Sequence, residues 1–173
     1  MSMFAETQKA LNKFAKYVIQ QAKTNLTKQK RNASGNLYNS LDYDLKVSKN
    51  SFSLEFIMQE YGMFIDEGVR GSKSSYPESR NSRFEYSGRF KTIPTAALDK
   101  WVIRRGIKGV RDEQGRFIKR DSLKYAIAKS IYEKGIRASM FFTKPFEKAF
   151  TNLPPEVVDA FALDIDDLLE FTT

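Results

Sequence analysis

The sequence predicts an α+β fold: a long N-terminal helix packed on an antiparallel sheet, with additional C-terminal helices and a long basic insert. Three patterns carry that expectation. Between Ala5 and Lys30, Leu11, Phe14, Ala15, Val18, Ala22 and Leu26 recur at three- and four-residue spacing, which makes one apolar stripe on a helix. Leu41, Tyr43, Leu45 and Val47, then Phe52, Leu54, Phe56 and Met58, alternate with polar residues at the period of a half-buried strand. From Val69 to Lys91 Gly, Ser and Pro interleave with Arg and Lys, the composition of a long basic loop.

Along the chain, Lys9, Lys13, Lys16 and Lys23 fall off the helical stripe and read as solvent face, with a partner or nucleic-acid surface as the sharper alternative. Residues 32–36 are small turn formers, and Gly35 is free to take the positive φ such a turn can need. Ser48-Lys49-Asn50-Ser51 is a tight connection, so the two alternating runs should pair as a hairpin. Tyr61 to Ile65 is expected to extend the sheet, with Gly68 and Gly71 ending it. Val69 to Lys91 reads as a loop long enough to be functional or disordered. Pro94 suits the first turn of a helix carrying Leu98, Trp101 and Val102, and Gly106 suits its end; Trp101 reads as core, or else as an interface anchor. Asp121 is expected to cap the next helix, where Leu123, Ile127 and Ile131 share a face and Gly135 closes it. Pro154-Pro155 opens a last helix, and Asp164 could cap one further short turn ending near Phe171.

Charge divides the chain unevenly. All 29 Lys and Arg lie at or before Lys148, against 15 acids, a net of +14; from Thr151 onward stand Glu156, Asp159, Asp164, Asp166, Asp167 and Glu170 and no base. The expected organisation is therefore one α+β domain over 1–150 and an acidic helical tail over 151–173. A basic body with an acidic tail can join head to tail with copies of itself or with another assembly, although such a run can also be simply solvated.

Several chemistries are excluded by residue type. With no cysteine there are no disulfides, thiolate metal sites or thiol nucleophiles, and with no histidine there is no imidazole acid–base chemistry or His-ligated zinc. Asp66-Glu67 could pair as metal-binding or acid–base carboxylates, but Arg70 and Lys73 close by favour ion pairing. Asp164-x-Asp166-Asp167 lacks the glycine and closing glutamate of a calcium loop, and Gly106-Ile107-Lys108-Gly109 lacks the Gly-Lys-[Ser/Thr] of a phosphate loop. No apolar stretch approaches the roughly 20 residues that span a bilayer, and no signal peptide is expected, so the Asn25-Leu26-Thr27 and Asn32-Ala33-Ser34 acceptor patterns carry nothing. The expected protein is neither an enzyme nor a membrane protein, needs no cofactor or metal, and is made in a cytoplasm. Arg104, Arg105, Lys108, Arg111, Arg116, Lys119, Arg120 and Lys124 could hold phosphates, with Phe117 stacking on a base. The flanking helices do not make a helix-turn-helix, because the connection from Gly106 to Arg120 is about 15 residues where that motif allows roughly three or four.

Three phrases stand in a telling order: Ser34-Gly35-Asn36-Leu37-Tyr38-Asn39-Ser40-Leu41, then Tyr61-Gly62-Met63-Phe64-Ile65-Asp66-Glu67-Gly68, then Phe141-Phe142-Thr143-Lys144-Pro145-Phe146-Glu147-Lys148-Ala149. Together they resemble the head-tail joining and tail-completion proteins of tailed bacteriophages, over about residues 5–150. The insert between Arg70 and Arg120 is longer than that family's pattern, and Thr143-Lys144 stand before the proline. The resemblance implies a structural virion protein: a homo-oligomeric closed ring in the neck or upper tail, between portal and neighbouring neck or tail proteins, around packaged DNA. Ring closure needs two unlike surfaces. Tyr61, Phe64, Asp66, Glu67, Arg70, Lys73, Arg80, Arg83 and Arg89 are the candidates for one, and Asp164, Asp166 and Asp167 for the other. Arg104, Arg105, Lys108, Arg111, Arg116, Lys119 and Arg120 are candidates for contact with DNA or an acidic partner. A basic nucleic-acid-binding protein is the alternative reading.

Overall fold

Helix α1 (Ala5–Lys28) buries the whole predicted stripe, Leu11, Phe14, Ala15, Val18, Ala22 and Leu26, together with Thr7. The computed structural model describes residues 4–48, 51–88, 90, 95–107, 109 and 111–170, and of 95–97 and 166–170 the backbone alone. The architecture is α+β, and the chain divides into two compact units: unit 1 holds residues 1–29, 36–59 and 141–173, and unit 2 holds 30–35 and 60–140. Residues 151–173, expected as an acidic helical tail, fall in the same unit as α1.

In unit 1 the short helix α2 (Asn36–Ser40) leads into the hairpin of β1 (Asp42–Ser48) and β2 (Ser51–Ile57). Gly35 sits in unit 2 at φ 76, the left-handed conformation expected of it. The hairpin is antiparallel, as expected, with Tyr43 opposite Phe56, Leu45 opposite Leu54 and Val47 opposite Phe52. These cross-strand pairs place one apolar face together, while Lys46 bridges Asp44 and Glu55 on the other. Lys49 and Asn50 of the connection lie outside the described residues.

Helices α6 (Thr143–Phe150) and α7 (Leu153–Glu170) complete the unit by packing on α1. Phe14 is the hub: its aromatic ring meets Phe56 at 6.1 Å, Phe146 at 5.7 Å and Phe150 at 6.5 Å, all edge-on. Phe142, Phe146 and Phe150 stack in sequence along α6. They recur every four residues, so one helical face delivers all three. Edge-to-face and offset stacks of this kind add about 0.5–1.5 kcal/mol per pair beyond area burial.

Asp164 does not cap a further turn, because α7 runs unbroken to Glu170. Its carboxylate instead caps α1. Phe4, the N-cap residue at φ 65, has no side-chain acceptor, and Asp164 accepts from the Glu6 N–H (3.0 Å), the Thr7 N–H (2.9 Å) and the Thr7 hydroxyl (2.7 Å). Ala160 and Asp164, one turn apart on α7, are both buried against this end of the fold. The negative charge also lies at the positive end of the α1 dipole.

Unit 2 opens with helix α3 (Tyr61–Asp66), where the sequence pattern predicts strand. Gly62 and Asp66, four apart, face inward, and Tyr61, Met63 and Phe64 face out; that is helical spacing, and alternation is absent. The sheet of this unit is two residues deep: β3 (Val69–Arg70) pairs antiparallel with β4 (Gly135–Ile136). Glycine makes that crossing. Gly135, at φ 80, would set a side chain against the Val69 carbonyl, the Gly71 nitrogen at 2.6 Å and the Arg70 carbonyl carbon at 2.9 Å.

Residues 71–88 are not loosely draped. Ser79, fully buried in the 3₁₀ turn Pro77–Ser79, donates to the Ile136 carbonyl (2.7 Å) and accepts from the Ala138 N–H (2.8 Å). Ser82 donates to the Gly68 carbonyl (2.8 Å) and accepts from the Phe84 N–H (3.1 Å). Each hydroxyl satisfies backbone groups that burial would otherwise leave unpaired. Tyr86 and Phe90 then lie on Tyr132 and Tyr125.

Helix α4 (Thr95–Arg104) buries Leu98 and Val102 and ends as predicted at Gly106, φ 62. The Gly106 and Ile107 N–H groups return to the Ile103 and Val102 carbonyls, the hydrogen-bond pair of a glycine-terminated helix. Pro94 lies outside the described residues. Trp101 is not core: it is 36% exposed, on the side of α4 where Arg105 covers it. Helix α5 (Arg120–Lys134) takes Lys119 as its N-cap residue, so Asp121 is not the cap; it lies in the first turn and pairs with Lys124 at 2.8 Å. Gly135 closes α5 as expected.

Candidate partner surface on the basic unit

Unit 2 holds 20 of the 29 Lys and Arg against 10 Asp and Glu, a net of +10, which leaves unit 1 with 9 against 11, a net of −2. The acids of unit 2 are largely engaged internally. Arg70 pairs with Glu85 at 2.6 Å, Lys73 with Glu133 at 2.7 Å and Arg83 with Glu67 at 2.9 Å. Asp99 faces both Lys124 and Arg120 at 3.1 Å, Asp112 holds Arg116 at 3.1 Å, and Glu78 stands 3.7 Å from Arg137. Hydrogen bonds to Asp121 and then Asp99 hold the buried Lys124 ammonium above the ordinary lysine range. The Lys73 ammonium likewise holds the Glu133 carboxyl below the usual range.

The cations fall into two populations as a result. Arg70, Lys73, Arg83, Arg116 and Arg120, all predicted as partner or phosphate contacts, are tied to carboxylates of their own unit. Lys30, Arg31, Arg80, Lys100, Arg104, Arg105, Arg111, Lys119, Lys129 and Lys134 have no carboxylate within 4.0 Å among the described residues, and they carry the unit's uncompensated charge. Arg89 and Lys108 lie outside the described residues.

The pairing expected between Asp66-Glu67 and Arg70 or Lys73 does not form. Glu67 takes Arg83, while Asp66 is buried, its backbone carbonyl accepting from the Ser139 and Met140 N–H groups. Tyr61 and Phe64 are exposed on α3, where Phe64 meets Phe84 edge-on at 4.4 Å. Asp164 is buried as the cap of α1 and is no free surface charge; the side chains of Asp166 and Asp167 lie outside the described residues.

Arginine over an aromatic ring is the recurring device of unit 2. Arg83 lies 4.8 Å from the Phe84 ring, Arg105 5.7 Å from Trp101, Arg111 4.4 Å from Phe117 and Arg137 5.0 Å from Tyr76. Arg111 and Phe117 face each other across a small turn whose Asp112 carboxylate accepts from the Gln114 and Arg116 N–H groups. Arg111 lies over the Phe117 ring, whose side chain is otherwise exposed. Arg31 donates to the Arg137 carbonyl at 3.1 Å, and burial, then the like charges of Arg105 and Arg137, push Arg31 below the ordinary arginine range. Runs of base along the chain do not point to Arg31, Arg137 or Tyr76, which stand 45 or more positions from one another in sequence.

In unit 1 the off-stripe lysines divide similarly. Lys9 pairs with Glu6 at 3.3 Å and Lys13 with Glu156 at 3.7 Å. Lys16 and Lys23 line an open groove of about 600 Å³ between α1, Tyr38 and Tyr43, and Lys23 lies 5.3 Å from the Tyr38 ring. Among the described residues no group of three or more carboxylates is placed to hold a metal ion, and no helix is long and apolar enough to cross a membrane. Comparison with protein-family models, with curated proteins and with solved structures finds no match to this chain.

Proposed function

We propose that the chain is a structural subunit of the neck or upper tail of a tailed-phage particle, where copies close into a ring that joins the portal side to the tail around a channel for DNA. The observation that carries this reading is the division of charge: a unit at +10 and a unit at −2 within one subunit. A closed ring is built from head-to-tail contacts between two unlike surfaces, which such a division supplies. The three phrases that resemble the neck and tail-completion family support the same reading. Tyr61, Met63 and Phe64, in the middle phrase, are large side chains left exposed on α3 of the basic unit, as an anchor for a neighbouring subunit would be. The role of the paired loop cations Arg70, Lys73 and Arg83 is then to hold that surface in shape. Negative-stain images of the purified protein test the proposal. Annular particles with a central opening, lost in the Phe64→Glu variant, are expected; single subunits that stay dispersed, alone and with tail-less heads added, would contradict it.

A further inference from the structure

Two of the unit 2 arginines without a carboxylate within 4.0 Å among the described residues, Arg105 and Arg111, lie over aromatic rings, Trp101 and Phe117. A guanidinium laid over a ring face keeps its N–H donors at its edge, where the ring cannot accept them. Arg105 over Trp101 is in this state, with no carboxylate within 4.0 Å among the described residues. Arg137 over Tyr76 is nearly so, since its one carboxylate, Glu78, stands 3.7 Å away and both side chains are about half exposed. Arg31 reaches the same place through its hydrogen bond to the Arg137 carbonyl. The like charges of Arg105 and Arg137 already act on Arg31 there. Three cations gathered with so little compensating charge are a surface that a polyanion relieves.

We infer that Arg31, Arg105 and Arg137 form a contact surface for the phosphodiester backbone of duplex DNA. Arginine's planar fork matches phosphate oxygens, and the fixed guanidiniums lose little freedom on binding. Trp101 and Tyr76 serve as seats for arginine, so the surface takes phosphates in any sequence and does not stack bases. The inference rests on the ring reading for the place of contact, the channel, but its test does not require assembly.

The test is the binding of the full chain to a short fluorescent duplex, followed by anisotropy between about 50 and 200 mM salt, where phosphate contacts give a steep salt slope. The double variant Arg31→Gln/Arg105→Gln should bind about tenfold more weakly and lower the slope of log affinity against log salt by about 2, near 0.9 for each phosphate no longer neutralised. Lys144→Gln/Lys148→Gln removes the same charge from unit 1 and should change affinity by about twofold or less. Should the first variant melt early for want of the Arg31 bond, Arg105→Gln alone, at an exposed side chain, should still lower the slope by about 1. Equal weakening in both double variants, or no binding of duplex by the parent, would overturn the inference. So would capture of the parent by polyglutamate as tightly as by duplex, which would make the partner an acidic protein. Duplex binding without any oligomer would leave this surface standing and remove the ring.

Discussion

Unit 1 and unit 2 are stabilised by different means. In unit 1 a long helix buries an unbroken apolar stripe, and Phe14 gathers Phe56, Phe146 and Phe150 around it. Unit 2 has few large buried side chains; β3 and β4 meet through glycine, buried serine hydroxyls brace the turns, and ion pairs absorb its acids. Packing of the first kind is insensitive to salt and leaves a surface near neutrality. The second kind fixes a strongly basic surface, because most of the unit's acids are drawn into ion pairs within it and the surplus cations outnumber them.

The sharpest way to break this contrast is at the glycine crossing. Gly135→Ala puts a Cβ into the backbone of Val69 and Gly71 at a left-handed φ, so β3 and β4 must part; a loss of about 4 kcal/mol or more in denaturant unfolding is expected, against the usual ~1 kcal/mol of a point change. Hydrogen exchange should place that loss in residues 60–140. Phe14→Ala attacks unit 1 instead, and emptying a site that touches three other rings should cost about 3–4 kcal/mol, with exchange rising in α1 and α6. If either variant loosened the other's unit equally, the division in stabilisation would fail.

Asp164→Asn should be milder, about 1 kcal/mol, as for loss of a helix cap, because an amide still offers one oxygen. It should also change the response to acid. Burial alone would raise the Asp164 carboxyl, but hydrogen bonds from the Thr7 hydroxyl, the Thr7 N–H and the Glu6 N–H outweigh it and hold the group below the usual aspartate range. Its stabilisation is therefore present above the unfolded value of about 4 and is lost as pH falls through the lower folded value. Melting temperatures taken downward from pH 5 should fall more steeply for the parent than for Asp164→Asn. Smallest of all, Arg83→Ala removes an exposed ion pair to Glu67 and should cost about 0.5 kcal/mol or less, an effect that 1 M salt erases; a larger loss would mean that ion pairs hold unit 2 more than glycine and serine do.

Local pattern makes much of the fold legible. In unit 1 the α1 stripe and the hairpin, and in unit 2 the helix ends at Gly106 and Gly135, follow from periodicity and glycine alone. The failures share a cause. Tyr61–Ile65 carries the aromatic, aliphatic run of a strand, yet no partner strand is at hand among the described residues; Gly62 and Asp66 pack inward as one helical turn. Asp164 has the look of a local cap, but the groups it caps lie 157 and 158 residues away at Thr7 and Glu6. The serines of residues 72–87 read as part of a loop, yet Ser79 is buried with its hydroxyl on the Ile136 carbonyl of β4, more than 50 residues on. The influence of Arg105 and Arg137 on Arg31 is of the same kind: each is ordinary in its own stretch, and tertiary structure alone couples them. For the acidic tail, composition reveals charge without destination, and the fold sends Asp164 and Glu156 to α1.

The most direct measurement is the mass of the purified protein by light scattering behind a sizing column, at low and at high salt. A single discrete species whose mass is an integral multiple of the 19.9 kDa subunit, weakened at high salt as contacts between unlike charges are screened, is the predicted result. A monomer at both salt concentrations, at every loading, would contradict a subunit built to close a ring with copies of itself.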